Sequence, residues 1–393
     1  MFKRAIEGEL IAYSKFPVVA LLGPRQSGKT TLVKAVFSNH TYISFEDVTE
    51  RTFAAADPKR FLAIHENEHG IILDEFQYVP EILSYIQLIV DEKKRPGYFI
   101  LTGSQNFLAN QAISQSLAGR VGILTLLPLS IAEMQESAIL PVTADELIFN
   151  GSYPRLYEEH FLPRQLYPSY IQTYLERDVR MLENIGDLTV FARFAQLCAG
   201  RVGQLLHIDN LAADAGVTAV TAKNWLSLLE ATYLIFLLQP HHRNFNKRVT
   251  KAPKLYFYDT GIACSLLRIN SLDTLAVHPL RGALFENMII TDLYKQYYNQ
   301  ALRPPIYFWR DQNGRYEIDC VIEHNALNLV PIEIKSGQTI ARDYFKGLQA
   351  WREITESPQT QGYVIYGGDA TQDRSQGMVL RWQDTGTLVK RLE

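Results

Sequence analysis

Pro17-Val18-Val19-Ala20-Leu21-Leu22-Gly23-Pro24-Arg25-Gln26-Ser27-Gly28-Lys29-Thr30-Thr31-Leu32 decides the fold. An apolar run enters a G-x-x-x-x-G-K-T segment, and apolar residues at helical spacing (Leu32, Val33, Val36, Phe37) leave it. The spacing predicts strand, phosphate-binding loop and helix. Gly23 and Gly28 let the backbone bend so that successive N–H groups face an anion. Pro24, Arg25, Gln26 and Ser27 complete the loop, and Thr31 follows it into the helix. Lys29 is placed to reach β- and γ-phosphates, and Thr30 offers a hydroxyl to Mg²⁺. The helix dipole adds to the anion site.

Outward from this loop, Thr41–Phe45 reads as a second strand. Gly70-Ile71-Ile72-Leu73 reads as a third and ends in Asp74-Glu75. Two carboxylates after a buried strand suit an NTPase: Asp74 for the Mg²⁺ shell, Glu75 to orient and deprotonate the attacking water. Alone, acids at a strand end are common; their order after the loop gives them meaning. A helix over 80–92 and a strand over 98–102 follow, and Ser104 or Gln105 would put a polar group beside the γ-phosphate. A fifth strand covers 122–126. Strands alternating with helices predict a three-layer α/β parallel sheet. Arg120, read as lying close to the carboxyl end of that sheet, would stabilise transition-state charge in cis or on a neighbouring subunit, or else be a solvated cap.

Composition sets bounds. The chain has 393 residues, enough for two or three domains. With 39 Lys and Arg against 42 Asp and Glu, no global charge advertises nucleic acid, so any such contact must be local. Three scattered cysteines give no disulfide frame or metal spacing and suit a reducing cytoplasm. Met1–Glu9 lacks the apolar core of a secretory signal, and no apolar run reaches membrane-spanning length, so no membrane partner is expected.

Gly23–Thr30, Leu73-Asp74-Glu75, Leu101-Thr102-Gly103-Ser104 and Leu117-Ala118-Gly119-Arg120 before Leu127-Pro128-Leu129-Ser130 resemble a prokaryotic AAA+ ATPase family with a C-terminal domain of the DUF4143 type. Asn150-Gly151-Ser152-Tyr153-Pro154 and Tyr174-Leu175-Glu176-Arg177-Asp178-Val179 resemble the same family. The resemblance implies a P-loop AAA+-type sheet of strand order 5-1-4-3-2, ATP as nucleotide, and homo-oligomerisation as an option.

The rest divides by pattern. Residues 1–135 form the ATPase part and 136–188 a helical lid or linker, with a turn at 151–154 and a long helix over 167–183. Residues 189–254 read as a winged helix-turn-helix: helices at 191–198, 208–216 and 218–230, the last exposing Lys223 and Asn224, then a strand at 233–238. His241-His242-Arg243-Asn244-Phe245-Asn246-Lys247-Arg248 and on through Lys251 to Lys254 carry no acid. Residues 218–254 therefore fit DNA phosphates, with a protein-docking surface and a solvated loop as the other reading.

Residues 255–393 form a small α/β domain. Residues 254–261 read as strand and turn, and 282–297 as a helix carrying Glu286. Residues 306–310 and 317–323 read as a hairpin, 329–335 as a third strand, and 341–354 as a helix. Alternation puts Glu317 and Asp319 on one face of their strand, and likewise Glu333 and Lys335 share a face of theirs, so the two polar strands side by side would converge on something. This resembles the PD-(D/E)xK nuclease fold, with Ile318 where the family's Pro stands. The resemblance implies that Asp319 and Glu333 hold a second Mg²⁺ or Mn²⁺, that Glu286 assists, and that Lys335 activates water. The bland alternative is an ion-pair cluster on a scaffold that cuts nothing.

Overall fold

The computed structural model describes residues 1–104, 113, 116–174, 187–241, 252–311, 314–325, 328–356 and 361–392. Gln105, the part of the expected 167–183 helix beyond residue 174 with Arg177-Asp178, and the basic segment 242–251 lie outside the described residues. Two compact units emerge. The first is Met1–Leu129 joined by two short downstream pieces, Ala231–Tyr233 and Tyr298–Leu302.

In that first unit, α1 (Glu7–Tyr13) leads into β1 (Val18–Leu22), and α2 (Lys29–Val36) follows the glycine-rich loop. Then come β2 (Thr41–Ser44), α3 (Val48–Ala56), α4 (Pro58–His65), β3 (Ile71–Asp74), α5 (Ile82–Lys93), β4 (Phe99–Gly103) and β5 (Val121–Thr125). All five strands are parallel in the order β2-β3-β4-β1-β5, the order the resemblance implied. Every residue of β1, β3 and β4 is buried, as both faces of such a sheet are covered by helices. Ile6 and Leu10 of the amino-terminal segment pack with Val19, Leu21, Leu32, Val33, Ile72, Ile100 and Leu124 on one face.

Helices α3 and α4 have no counterpart in the periodicity. Their signals are caps: Asp47 accepts from Thr49 N at 2.7 Å, and Asp57 accepts from Arg60 N at 3.0 Å with Pro58 as the first helical residue.

The second unit comprises Ser130–Glu230, Leu234–Tyr297 and Arg303–Glu393. It opens with α6 (Ile131–Glu136), α7 (Ala144–Asn150), α8 (Pro154–Glu158) and α9 (Pro163–Tyr174). Next come α10 (Leu188–Ala199), α11 (Ile208–Ala215) and α12 (Ala219–Ala231). Asp187 caps α10 through Thr189 N and Val190 N, and left-handed Gly216 ends α11. The antiparallel pair β6 (Ile235–Leu238) and β7 (Lys254–Phe257) follows, giving three helices and a hairpin. Lys223 and Asn224 are exposed on α12, where the sequence puts them.

After β7 the chain does not turn but starts another helix, because the Asp259 side chain caps α13 (Thr260–Leu266) by accepting from Ile262 N at 3.2 Å. Then come α14 (Leu272–Ala276), the long α15 (Arg281–Asn299), β8 (Ile306–Arg310), β9 (Glu317–Asn325), β10 (Asn328–Lys335), α16 (Lys346–Ile354), β11 (Tyr363–Tyr366), β12 (Gln372–Arg374), β13 (Gly377–Arg381) and α17 (Thr385–Leu392). The six strands β8–β13 form one mixed sheet in the order β12-β13-β11-β10-β9-β8. Trp309, Ile318, Val321, Leu348, Trp351, Val364 and Val379 fill its core.

Candidate active site

The phosphate loop sits at the carboxyl end of β1. Gly23 has φ of 150°, and a Cβ there would lie 2.1 Å from Leu126 O, so only glycine fits. Gly28, left-handed at φ of 94°, is the N-cap of α2. Ser27 is fully buried, and its Oγ has no hydrogen-bond partner among the described residues. Lys29 Nζ donates to Gly23 O at 2.9 Å and Pro24 O at 2.7 Å, folded over the loop. An orphaned buried hydroxyl and a lysine held by two carbonyls of a glycine-rich loop fit a bound polyphosphate.

Arg4, missed in the sequence, braces this loop from behind. It is buried and donates to Ser27 O at 2.6 Å and Leu127 O at 2.7 Å. Arg25 is placed beside Glu46 at 3.5 Å and Tyr78 OH at 3.4 Å.

The neighbouring strands complete the site. Asp74, the last residue of β3, accepts from Thr30 Oγ1 at 3.0 and 3.2 Å, from Tyr42 OH at 2.7 Å and from Thr102 Oγ1. Burial and the Asp74 carboxylate push the Tyr42 phenol well above its ordinary range. Thr30 and Asp74 together fit a Mg²⁺ shell. Glu75 stands in a left-handed conformation, φ 57°, with its Oε2 accepting from Ser104 Oγ at 2.9 Å and from Gln77 Nε2. Ser104, from the end of β4, also accepts from Gln77 at 3.3 Å. Thr30 thus meets Asp74, Ser104 meets Glu75, and Lys29 lies over the loop that Thr30 leaves.

Arg120 does not join them. Its carbonyl accepts from Val18 N, which starts β1, whereas the phosphate loop follows the end of β1. The two edges of a five-residue strand are about 15 Å apart. Arg120 thus lies at the amino edge of the sheet, not near its carboxyl end as read from the sequence, and a role in cis falls away. There it makes a two-pronged pair with Asp91 of α5, at 2.6 and 2.8 Å.

In the second unit, Glu286 of α15, Glu317 and Asp319 of β9, and Glu333 and Lys335 of β10 gather with Lys254, the first residue of β7. Lys254 was read as the tail of the basic segment; its side chain is 4% exposed. Its Nζ is 3.1 Å from Glu286 Oε1 and 2.6 Å from Glu317 Oε1. Tyr256 OH donates to the same Glu286 oxygen at 2.5 Å. Lys335 Nζ is 3.0 Å from Asp319 Oδ2 and 2.5 Å from Glu333 Oε2. Asp319 Oδ2 also accepts from Ile334 N at 2.8 Å.

Burial works to lower both ammonium groups, but the surrounding carboxylates hold Lys254 and Lys335 above their ordinary range. Burial raises Glu286 and lifts Glu333 to about 8, while the two lysines keep Asp319 low against its burial. Among the described residues no three Asp, Glu, His or Cys side chains are set to hold a metal ion. The expected triad of Glu286, Asp319 and Glu333 is instead divided between two lysines. These residues do not fit a second Mg²⁺ or Mn²⁺.

Residues 15–135 match the family model of an AAA domain. Residues 281–384 match a domain of unknown function, DUF4143, and residues 143–273 another, DUF8612. The chain is 32% identical over 320 residues to the uncharacterized protein Rv2008c of Mycobacterium tuberculosis, covering 79% of this chain and 69% of that one. The uncharacterized protein Mb2031c of Mycobacterium bovis matches to the same extent. Among solved structures, the Walker-type ATPase PABY2304 of Pyrococcus abyssi is 18% identical, with TM-score 0.44, covering 68% of this chain and 96% of that one. The Thermotoga maritima RuvB Holliday junction branch migration motor is 19% identical, with TM-score 0.32, covering 59% and 88%. Among the described residues no helix is long and apolar enough to cross a membrane.

Proposed function

Because the chain belongs to the AAA+ ATPases that carry a C-terminal DUF4143 domain, we propose that it hydrolyses ATP with Mg²⁺ and uses the nucleotide cycle to drive the modules that follow. The observation that carries this reading is the set of contacts at the carboxyl end of the sheet: Lys29 folded over the glycine-rich loop, Thr30 bonded to Asp74, and Ser104 bonded to Glu75. Lys29 exchanges the carbonyls of Gly23 and Pro24 for phosphate oxygens. Thr30 and Asp74 would hold Mg²⁺, which when bound neutralises charge on the β- and γ-phosphates. Glu75 orients the attacking water and takes its proton, and Ser104 fixes the Glu75 carboxylate. In the whole chain, Lys29→Ala should remove ATP binding and turnover together. Unaltered turnover would refute the assignment.

Arg120 is proposed to act on the nucleotide of a neighbouring subunit, since its own lies across the sheet. Arg120→Ala and Glu75→Gln subunits, each inactive alone, should regain part of the activity when mixed, because some interfaces then pair two intact groups. No recovery in a proven mixed assembly would leave Arg120 as the partner of Asp91 only.

For the later modules, contact with DNA through residues 218–254 and the C-terminal domain is one reading. The other is a nucleotide-switched interaction protein whose nuclease-like domain cuts nothing. The lysine-neutralised acidic cluster favours the second. ATP turnover stimulated by DNA would favour the first. A cytoplasmic setting is proposed on the free, buried thiols of Cys198, Cys264 and Cys320.

A further inference from the structure

We propose that Lys254 is the resident cation of the C-terminal acidic cluster, its ammonium joining that of Lys335 in neutralising the acids with which a nuclease-like site would hold a divalent metal. Glu286 comes from a helix, and Asp319 and Glu333 from adjacent strands β9 and β10, so the scaffold brings acids together from three elements. A divalent ion would need several of those oxygens at about 2.0–2.6 Å at once. Here they already face nitrogen. Glu286 and Glu317 share Lys254, while Asp319 and Glu333 share Lys335.

Tyr256 OH and Ile334 N take further lone pairs of Glu286 and Asp319. Glu333 is also turned under α16, where a Cβ on Gly347 would fall 1.7 Å from its Oε1. Lys254 cannot swing out freely. It heads a strand paired in register with β6, and its side chain is buried beside the Phe308 ring, with Nζ 5.5 Å from the ring centroid. A fixed ammonium repels an incoming dication and leaves it too few free oxygens.

The test is Mn²⁺ binding to the whole chain free of nucleotide, followed by the electron-spin signal of free Mn²⁺ up to about 1 mM, the weak end for carboxylate sites. Wild type should bind no Mn²⁺ that Asp319→Asn removes. Lys254→Gln should gain one Mn²⁺ per chain, held at least about tenfold more tightly than by wild type, and adding Asp319→Asn should abolish it. Lys254→Arg keeps the charge and should stay metal-free. Wild-type binding that vanishes in Asp319→Asn overturns the proposal, and this titration decides even if Lys254→Gln does not fold. A folded Lys254→Gln that gains no Mn²⁺ overturns it equally.

Discussion

Glu75→Gln is expected to retain bound ATP and to slow its hydrolysis by about 10²–10⁴-fold, the span that general-base catalysis contributes. The amide keeps the size of the side chain and an oxygen that can accept from Ser104, now at 2.9 Å. It cannot accept the proton of water. Nothing in the cradle formed by Gly23, Lys29 and Thr30 is touched, so affinity should hold while turnover falls. The left-handed backbone at Glu75 supports this assignment. A bulky residue pays a steric penalty in that conformation, and such strain persists where the surroundings over-determine it. Single-turnover hydrolysis alongside nucleotide retention makes the separation visible. Equal loss of both would mean that Glu75 shapes the loop instead of serving the water.

Asp259→Ala should destabilise the second unit by about 4 kcal/mol, because several buried donors lose one acceptor together. Asp259 is 2% exposed. It accepts from Ser152 N at 2.7 Å, Ser152 Oγ at 2.9 Å and Ile262 N at 3.2 Å. Lys295 Nζ donates to the same Ser152 hydroxyl at 2.7 Å, which fixes that hydroxyl's proton toward Asp259. The carboxylate also crowds Gly151, whose added Cβ would lie 2.4 Å from it. The change therefore removes a helix cap and leaves Ser152 N orphaned at the α7–α8 turn. Urea unfolding followed by tryptophan fluorescence measures it. A shift within about 0.5 kcal/mol, as for a surface site, would show that water replaces the carboxylate.

The parts legible in the sequence were those where chemistry dictates residue type. A phosphate loop needs its glycines, lysine and threonine at fixed spacing, and a nucleotide-hydrolysing strand end needs Asp74 and Glu75. Apolar runs on both sides then determined the parallel sheet. Lys254 was not legible, because order along the chain does not say which lysine of a basic stretch turns inward. Its neighbours in space come from β9 and α15, remote in sequence. Arg120 was misplaced for a simpler reason: in a parallel sheet the start of every strand lies opposite the loop, and Arg120 immediately precedes β5. Asp259 before Thr260-Gly261 looked like turn chemistry, whereas the same side chain opens a helix when apolar residues follow.

Tyr233 and Ala301 belong to the nucleotide-binding unit although each lies far beyond its last strand. Tyr233 is 3% exposed, and Ala301 packs against the cluster that includes Ile6, Leu10 and Val33. Vectorial synthesis therefore delivers the sheet long before its full covering. The ribosome must pass Leu302 before every piece of that unit exists, so its completion is tied to translation of the helices and strands in between.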